Sequence, residues 1–157
     1  MKKLIGIKAV SLPTTSERSR LMARVRRSGT KPELLLRTVL HQIGLRYRTK
    51  SGIGLPGTPD IAFRRIKLAI FVDGCFWHGC PKHGTVPKTN TLFWMAKISR
   101  NRLRDKQVNK SLKGLGWRVI RIWEHQALGK EYPVVRRIKR LSITSLQTAR
   151  SRGRTKV

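Results

Sequence analysis

The segment Ile70-Phe71-Val72-Asp73-Gly74-Cys75-Phe76-Trp77-His78-Gly79-Cys80-Pro81-Lys82-His83 gathers reactive side chains into one short stretch. It holds both cysteines of the chain and two of its four histidines. An apolar strand runs into a carboxylate, a glycine turns the chain, and two aromatics precede a histidine. Cys75, Cys80 and His83 have the spacing of ligands to a structural zinc ion. The two cysteines are near enough in sequence for a disulfide, but the intervening aromatics and neighbouring histidines point to a metal instead. A fourth ligand has three candidates: His41, His78 and His125. His125 is attractive because Trp123-Glu124-His125 ends an expected strand that can return beside the loop. His78 is then left for chemistry, since a neutral imidazole can take a proton from water attacking phosphorus.

Seven carboxylates stand against 36 lysines and arginines, for a net charge of +29. Such a surface attracts polyanions, nucleic acid first and an anionic membrane second. A structural RNA binder of the ribosomal type would share this charge. In so basic a chain each carboxylate opposes polyanion binding, so those near strand ends need a reason. Asp60 follows Thr58-Pro59 and opens one expected strand; Asp73 closes the next. If the strands pair as a hairpin, both face one edge of the sheet. A hard cation such as Mg²⁺ suits that edge, where it holds a phosphate oxygen and stabilises charge developing during attack. The competing reading makes Asp60 and Asp73 ion-pair partners of the arginines. Glu33, three residues after Thr30, already has a structural role as a capping-box residue.

The elements that must position these groups follow from local pattern. Thr30-Lys31-Pro32-Glu33 starts a helix with Leu34, Leu35, Val39 and Leu40 on its buried face, ending near Gly44. Leu45 to Lys50 reads as a strand, and the Gly/Pro-rich stretch 52–59 as a loop. Asp60-Ile61-Ala62-Phe63 begins a strand, Arg64-Arg65-Ile66 turns, and Leu68 to Val72 is an apolar run fit for a central buried strand. Residues 75–90 are loop. Thr91 to Leu112 is a long helix, with Leu92, Met95, Ile98, Leu103, Val108, Leu112 and Leu115 as its expected apolar face. Trp117 to Trp123 is a further strand, and residues 131–140 a last basic helix. The order implies an α/β fold, helices flanking a mixed central sheet.

The expected organisation is a flexible basic leader at 1–18, one domain at 19–140, and a basic tail at 141–157. Lys8 cuts the N-terminal apolar run too short for a signal peptide, and no run is long enough to span a bilayer. The expectation is a soluble cytoplasmic protein without membrane association.

These residues also carry a resemblance. The chain resembles the very short patch repair (Vsr) DNA mismatch endonucleases. The matching stretches are Met22 through Arg26, Thr30-Lys31-Pro32-Glu33, Leu55-Pro56-Gly57-Thr58-Pro59-Asp60, Phe71 through His78, Pro87-Lys88-Thr89-Asn90 with Phe93-Trp94, Asn101-Arg102 with Arg104-Asp105, and Gly116-Trp117-Arg118-Val119 with Trp123-Glu124. They run in family order from about residue 20 to residue 128.

The resemblance implies a restriction-endonuclease-like fold with a structural zinc site, and Mg²⁺-dependent nicking of one strand. The cut is expected 5′ of the thymine in a T·G mismatch, the product of 5-methylcytosine deamination. By the same resemblance Asp60 is the Mg²⁺-binding aspartate, aided by the main-chain carbonyl of Val72; His78 is the base, and Glu33 assists. Cys75, Cys80, His83 and His125 fall where the family binds zinc. Phe76 and Trp77 are the wedge that intercalates beside the mismatch, with Met22 reaching in from the N-terminal side; a mispaired step costs less to unstack. Asp73-Gly74-Cys75 lacks the lysine usual in the wider nuclease superfamily, so histidine takes the basic role. Asp73 has three open roles: metal ligand, orienter of water, or support for His78. Implied partners are double-stranded DNA with a T·G mismatch, a cytosine-5 DNA methyltransferase and downstream repair factors, for a nucleoid-associated monomer. Two alternatives remain: a zinc-stapled nucleic-acid binder without catalysis, and a nickase of the same fold in a restriction or mobile-element system.

Overall fold

The apolar run Leu68–Asp73 forms the central strand of the sheet, β2, and every other element packs around it. The computed structural model describes residue 20 and residues 28–49, 54–127, 133 and 135–141. Helix α1 spans Lys31–Gln42, strand β1 Ile61–Phe63, helix α2 Thr91–Gly114, strand β3 Arg118–Trp123, and a short helix α3 Glu124–Ala127. The sheet order is β1-β2-β3. β1 and β2 form an antiparallel hairpin through a 3₁₀ turn at Arg64–Ile66. β2 and β3 are parallel, as a strand crossing over through α2 requires.

Alternation along the strands sorts side chains onto two faces. Ile61, Phe63, Leu68, Ile70, Ile120 and Ile122 pack against Leu36 and Leu40 of α1 and against Val135 and Ile138. Ala69 and Phe71 point the other way, onto Leu112 of α2. The parity that sends Ala69 and Phe71 toward α2 sends Asp73 there too. Asp60, one residue ahead of β1 and out of phase with Ile61, falls on the same side. The sandwich therefore leaves carboxylates from two strands facing one helix.

Three expectations need correction or placement. The strand at Leu45–Lys50 reduces to a single bridge, Arg48 with Ala62. Its side chains still serve the core: Leu45 and Tyr47 pack on the α1 side, and the Tyr47 hydroxyl donates to the Arg37 carbonyl at 3.0 Å. The expected apolar face of α2 is not a face. Leu92 is 83% exposed and Leu103 58%. Val108 and Leu112 pack on the sheet. From Leu103 to Leu112 is about two and a half turns, so these apolar residues fall on opposite sides of the helix. The inward stripe instead runs Asn101, Asp105, Val108, Asn109, Leu112, and is half polar. Finally, the leader at 1–18, nearly all of the tail, and Met22 lie outside the described residues. Of the expected last helix at 131–140, residues 133 and 135–140 are helical, and residue 141 continues it.

Candidate active site

The polar half of the α2 stripe meets the carboxyl end of β2 across a cleft of about 400 Å³, lined among others by Glu33, Asp60, Asp73, His78, Asp105 and Arg121. Asp60 is 6% exposed, and its Oδ2 accepts the Val72 N–H at 2.8 Å. Its main-chain carbonyl accepts Arg37 Nη2 at 3.1 Å. The same guanidinium nitrogen reaches Glu33 Oε2 at 3.2 Å, so Arg37 ties the first helix to the start of β1. Glu33 closes the helix start as a capping residue would. Its oxygens accept the Gly29 N–H and the Thr30 hydroxyl, and Thr30 makes no cap bond of its own. Neither bond of the expected box forms, because Glu33 reaches past the Thr30 N–H to that of Gly29, yet Glu33 still faces the cleft.

The loop that brings Asp60 to this point is held by close approach. Gly57 has φ +72°, and a Cβ there would collide with Val108 of α2. Thr58 follows at φ 47°, a conformation costly for a β-branched side chain. Backbone in such regions persists only where its surroundings over-determine it.

His78 lies in the turn after β2, its N–H bonded to the Gly74 carbonyl at 3.1 Å. Its Nδ1 is 2.6 Å from Asp105 Oδ2 and 3.9 Å from Asp73 Oδ1. A carboxylate only accepts, so Nδ1 carries the hydrogen and the Nε2 lone pair is the one left for a substrate. Side chains of α2 fasten the turn from below. Asn101 Nδ2 donates to the Trp77 carbonyl at 2.8 Å, and Arg102 donates to the carbonyls of His78 and Gly79.

Asp73 does not face the metal edge alone. Both its oxygens take Arg121, Nε and Nη2 each at 2.7 Å, and Arg121 Nη2 also reaches Asp105 Oδ1 at 2.7 Å. Burial opposes the Arg121 charge, but the Asp73 bonds and the two carboxylate charges outweigh it and raise its pKa. Asp73, His78 and Asp105 have ligand atoms close enough for a metal ion. The single guanidinium charge offsets one of the two carboxylate charges and ties both side chains into an ion-pair network.

Beyond the turn, Cys75, Cys80, His83 and His125 bring their ligand atoms within 4.8 Å of one another. Cys75 Sγ is 3.1 Å from His125 Nδ1; Cys80 Sγ is 3.8 Å from it and 4.0 Å from His83 Nδ1. A tetrahedral zinc ion sets such ligands about 3.3–3.8 Å apart, so the donor set fits. Neither cysteine is in a disulfide. Of the three candidate fourth ligands, only His125 is brought to the cysteines. His78 is turned to Asp105, and His41 sits by Arg46. Burial, then the charges of His83 and Lys82, lower the His125 pKa, which favours the neutral ring a metal requires. Burial pushes the Cys75 thiol up to about 11. Burial acts the same way on Cys80, but the backbone N–H groups of His83 and Lys82 prevail and lower it.

Phe76 and Trp77 are half-buried and stand in edge contact at 5.0 Å, with Trp94 of α2 5.1 Å from Phe76. Lys97 Nζ sits over the Trp77, Phe93 and Trp94 rings at 5.2 to 5.7 Å. This aromatic cluster adjoins the turn that carries His78.

The DNA mismatch endonuclease Vsr family matches residues 11–83. The type II nicking enzyme V.NaeI of Lentzea aerocolonigenes is 51% identical over 120 residues, covering 74% of this chain and 72% of that protein. The type II nicking enzyme V.HpaIIP of Haemophilus parainfluenzae is 45% identical, over 73% of this chain and 83% of its own. The DNA mismatch endonuclease Vsr of Escherichia coli strain K12 is 37% identical, covering 73% of each.

The chain belongs to the Vsr family of DNA mismatch endonucleases. It is a DNA endonuclease. The α/β fold with a mixed sheet agrees with the restriction-endonuclease-like architecture that resemblance implied. Within this Vsr chain the cleft unites Glu33, Asp60, Asp73 and His78. Three residues with no role assigned from sequence support it: Asn101, which holds the Trp77 carbonyl of the adjoining turn, and Asp105 and Arg121, which line the cleft. The spacing Asn101, Asp105, Asn109 on one helical side is the signal that could have found the first two. Arg121 inside an otherwise apolar strand is the signal for the third.

Proposed function

We propose that this protein nicks one strand of double-stranded DNA 5′ of the thymine in a T·G mismatch, in repair of deaminated 5-methylcytosine. The observation that carries the reading is the His78-Asp105 contact, placed in the same cleft as Asp60 and next to the Phe76, Trp77 and Trp94 cluster. Asp60 and the main-chain carbonyl of Val72 are the groups to hold Mg²⁺. That ion would supply Lewis-acid stabilisation of the phosphoryl oxygens.

His78 Nε2 takes a proton from water as its oxygen attacks phosphorus and a sugar oxygen departs in line. Asp105 keeps the Nδ1 hydrogen in place and stabilises the imidazolium that forms. Asp73 is a support, because both its oxygens are held by Arg121. Glu33 assists by fixing Arg37 and through it the Asp60 backbone. Phe76, Trp77 and Met22 form the wedge, and a mispaired step yields to it more cheaply than a matched one. Cys75, Cys80, His83 and His125 hold zinc, which staples the turn bearing both His78 and the wedge. Lysines and arginines of the +29 chain grip the phosphates. The working unit is a cytoplasmic, nucleoid-associated monomer comprising residues 19–140, functionally linked to a cytosine-5 methyltransferase.

The test is Mg²⁺-dependent nicking of a labelled duplex with one T·G mismatch, with the T·A duplex as control. Single-strand cleavage beside the mismatched thymine, lost in the control, with EDTA and in His78→Ala, is the expected result. Cleavage of both duplexes at equal rates would overturn mismatch specificity.

A second reading has support of its own. Several relatives named type II nicking enzymes are more similar to this chain than the Escherichia coli mismatch endonuclease is. The chain would then act alongside a restriction system, and its nicking would depend on the sequence context of that system.

A further inference from the structure

Two carboxylates compete for one N–H in this site. His78 Nδ1 has Asp105 Oδ2 at 2.6 Å and Asp73 Oδ1 at 3.9 Å. Bonding to Asp105 aims the ring one way, and bonding to Asp73 would swing it another. What separates them is the distribution of Arg121. Its Nε and Nη2 occupy both oxygens of Asp73, while Nη2 takes only Oδ1 of Asp105. One oxygen, Asp105 Oδ2, is thereby left pointing at the imidazole.

We propose that Arg121 is a positioning residue: it withdraws Asp73 from His78 and orients Asp105 toward it, so that Nε2 is presented to the attacking water. This rests on the assignment of His78 as the base.

The guanidinium is well placed to impose this choice. Its Nη1 donates to Asn109 Oδ1 at 3.3 Å, and its Cζ lies 4.6 Å from the Phe71 ring centre. Bonds on all three nitrogens and a stacked face leave the plane no freedom to rotate. Its backbone is equally fixed, since Arg121 pairs with Phe71 in the parallel register of β2 and β3. Asp105, by contrast, sits half-buried on a helix with no backbone constraint on its carboxylate. The fork geometry matters. A lysine offers one charge centre and cannot hold two oxygens of one carboxylate and one of another in a single plane. The arrangement also predicts little contribution to DNA affinity, because carboxylates already consume the charge.

The test compares Arg121→Met, Arg121→Lys and Asp105→Asn in single-turnover nicking of the T·G duplex, with affinity for the same duplex measured without divalent metal. A misplaced base costs about 100-fold in rate. Arg121→Met should lose about that factor at saturating enzyme, with the dissociation constant within about threefold of wild type, and Arg121→Lys should recover only part of it. Adding Arg121→Met to Asp105→Asn should cost little more than Asp105→Asn alone, because Arg121 acts through Asp105. Nitrogen-15 NMR of the neutral His78 ring should show the Nδ1–H tautomer in wild type and a mixture in Arg121→Met, a change that a merely structural residue would not produce.

Since Arg121→Met strands the Asp73 carboxylate, Asp73→Asn with Arg121→Met removes that charge and its competition for Nδ1, and should keep the part of the rate loss that comes from an unoriented Asp105 in a well-folded protein. Wild-type nicking and an unchanged tautomer in that double variant would overturn the proposal, as would additive losses with Asp105→Asn. If wild type itself fails to nick, the functional reading falls, and the tautomer measurement still decides the role of Arg121.

Discussion

Gly57→Ala is a sharp probe of how the Asp60 loop is built. Gly57 has φ +72°, and a Cβ at this position would meet Val108 Cγ2 at 2.8 Å and Val108 Cβ at 3.2 Å, with Cγ1 closer still. Left-handed backbone costs an L-residue about 1–2 kcal/mol. The stiffer unfolded chain returns about 0.4–1 kcal/mol of that. The collision adds about 1–3 kcal/mol, because a β-branched side chain on a helix has one comfortable rotamer and cannot swing aside. The net loss should be about 1–4.5 kcal/mol, a large part of the roughly 5–15 kcal/mol that holds a domain together. Val108→Ala alone removes two half-buried methyls and should cost about 1 kcal/mol. The double variant keeps the backbone cost but loses the collision. It should therefore be more stable than Gly57→Ala, the opposite of additivity. Urea unfolding followed by tryptophan fluorescence measures all four proteins, with the slope checked for constancy. Additive losses, or a Gly57→Ala protein as stable as wild type, would refute close packing of this loop on α2.

Other outcomes follow from the site. Asp60→Ala should abolish nicking while leaving duplex affinity within a few fold, measured by gel shift beside a cleavage assay; normal cleavage would remove Asp60 from the Mg²⁺ site. Phe76→Ala with Trp77→Ala should erase the preference for mismatched over matched duplex, and an unchanged affinity ratio would end the wedge assignment. Elemental analysis should find one zinc per chain in the wild type and none in Cys80→Ser with His125→Ala, whose melting temperature should fall by several degrees; for a domain of this size about 2–8 °C accompanies each kcal/mol lost. Zinc retained at full occupancy would place the ion elsewhere.

Much of this site was legible before any fold was known, because its pieces are local. Cys75, Phe76, Trp77, His78, Cys80 and His83 lie within nine residues, so their clustering is a matter of sequence. The hairpin could be read too. Two apolar runs joined by Arg64-Arg65-Ile66 bring Asp60 and Asp73 to one side by alternation alone. The α2 face could not be read from apolar residues, since among the described residues nothing covers Leu92 and Leu103, which face solvent.

Residue order was enough for the cysteine and histidine cluster, the turn that carries His78, the net charge of +29 and the family. The partners of those residues came only with packing. The partner of Asp73 is a side chain 48 residues away, Arg121 on a different strand. The choice of His125 over His41 turned on where β3 ends relative to the metal turn. That Asp105 supports His78 turned on which side of α2 faces the sheet. Each is a long-range contact fixed by strand register and helix phase, and periodicity constrains those only once the elements are packed together.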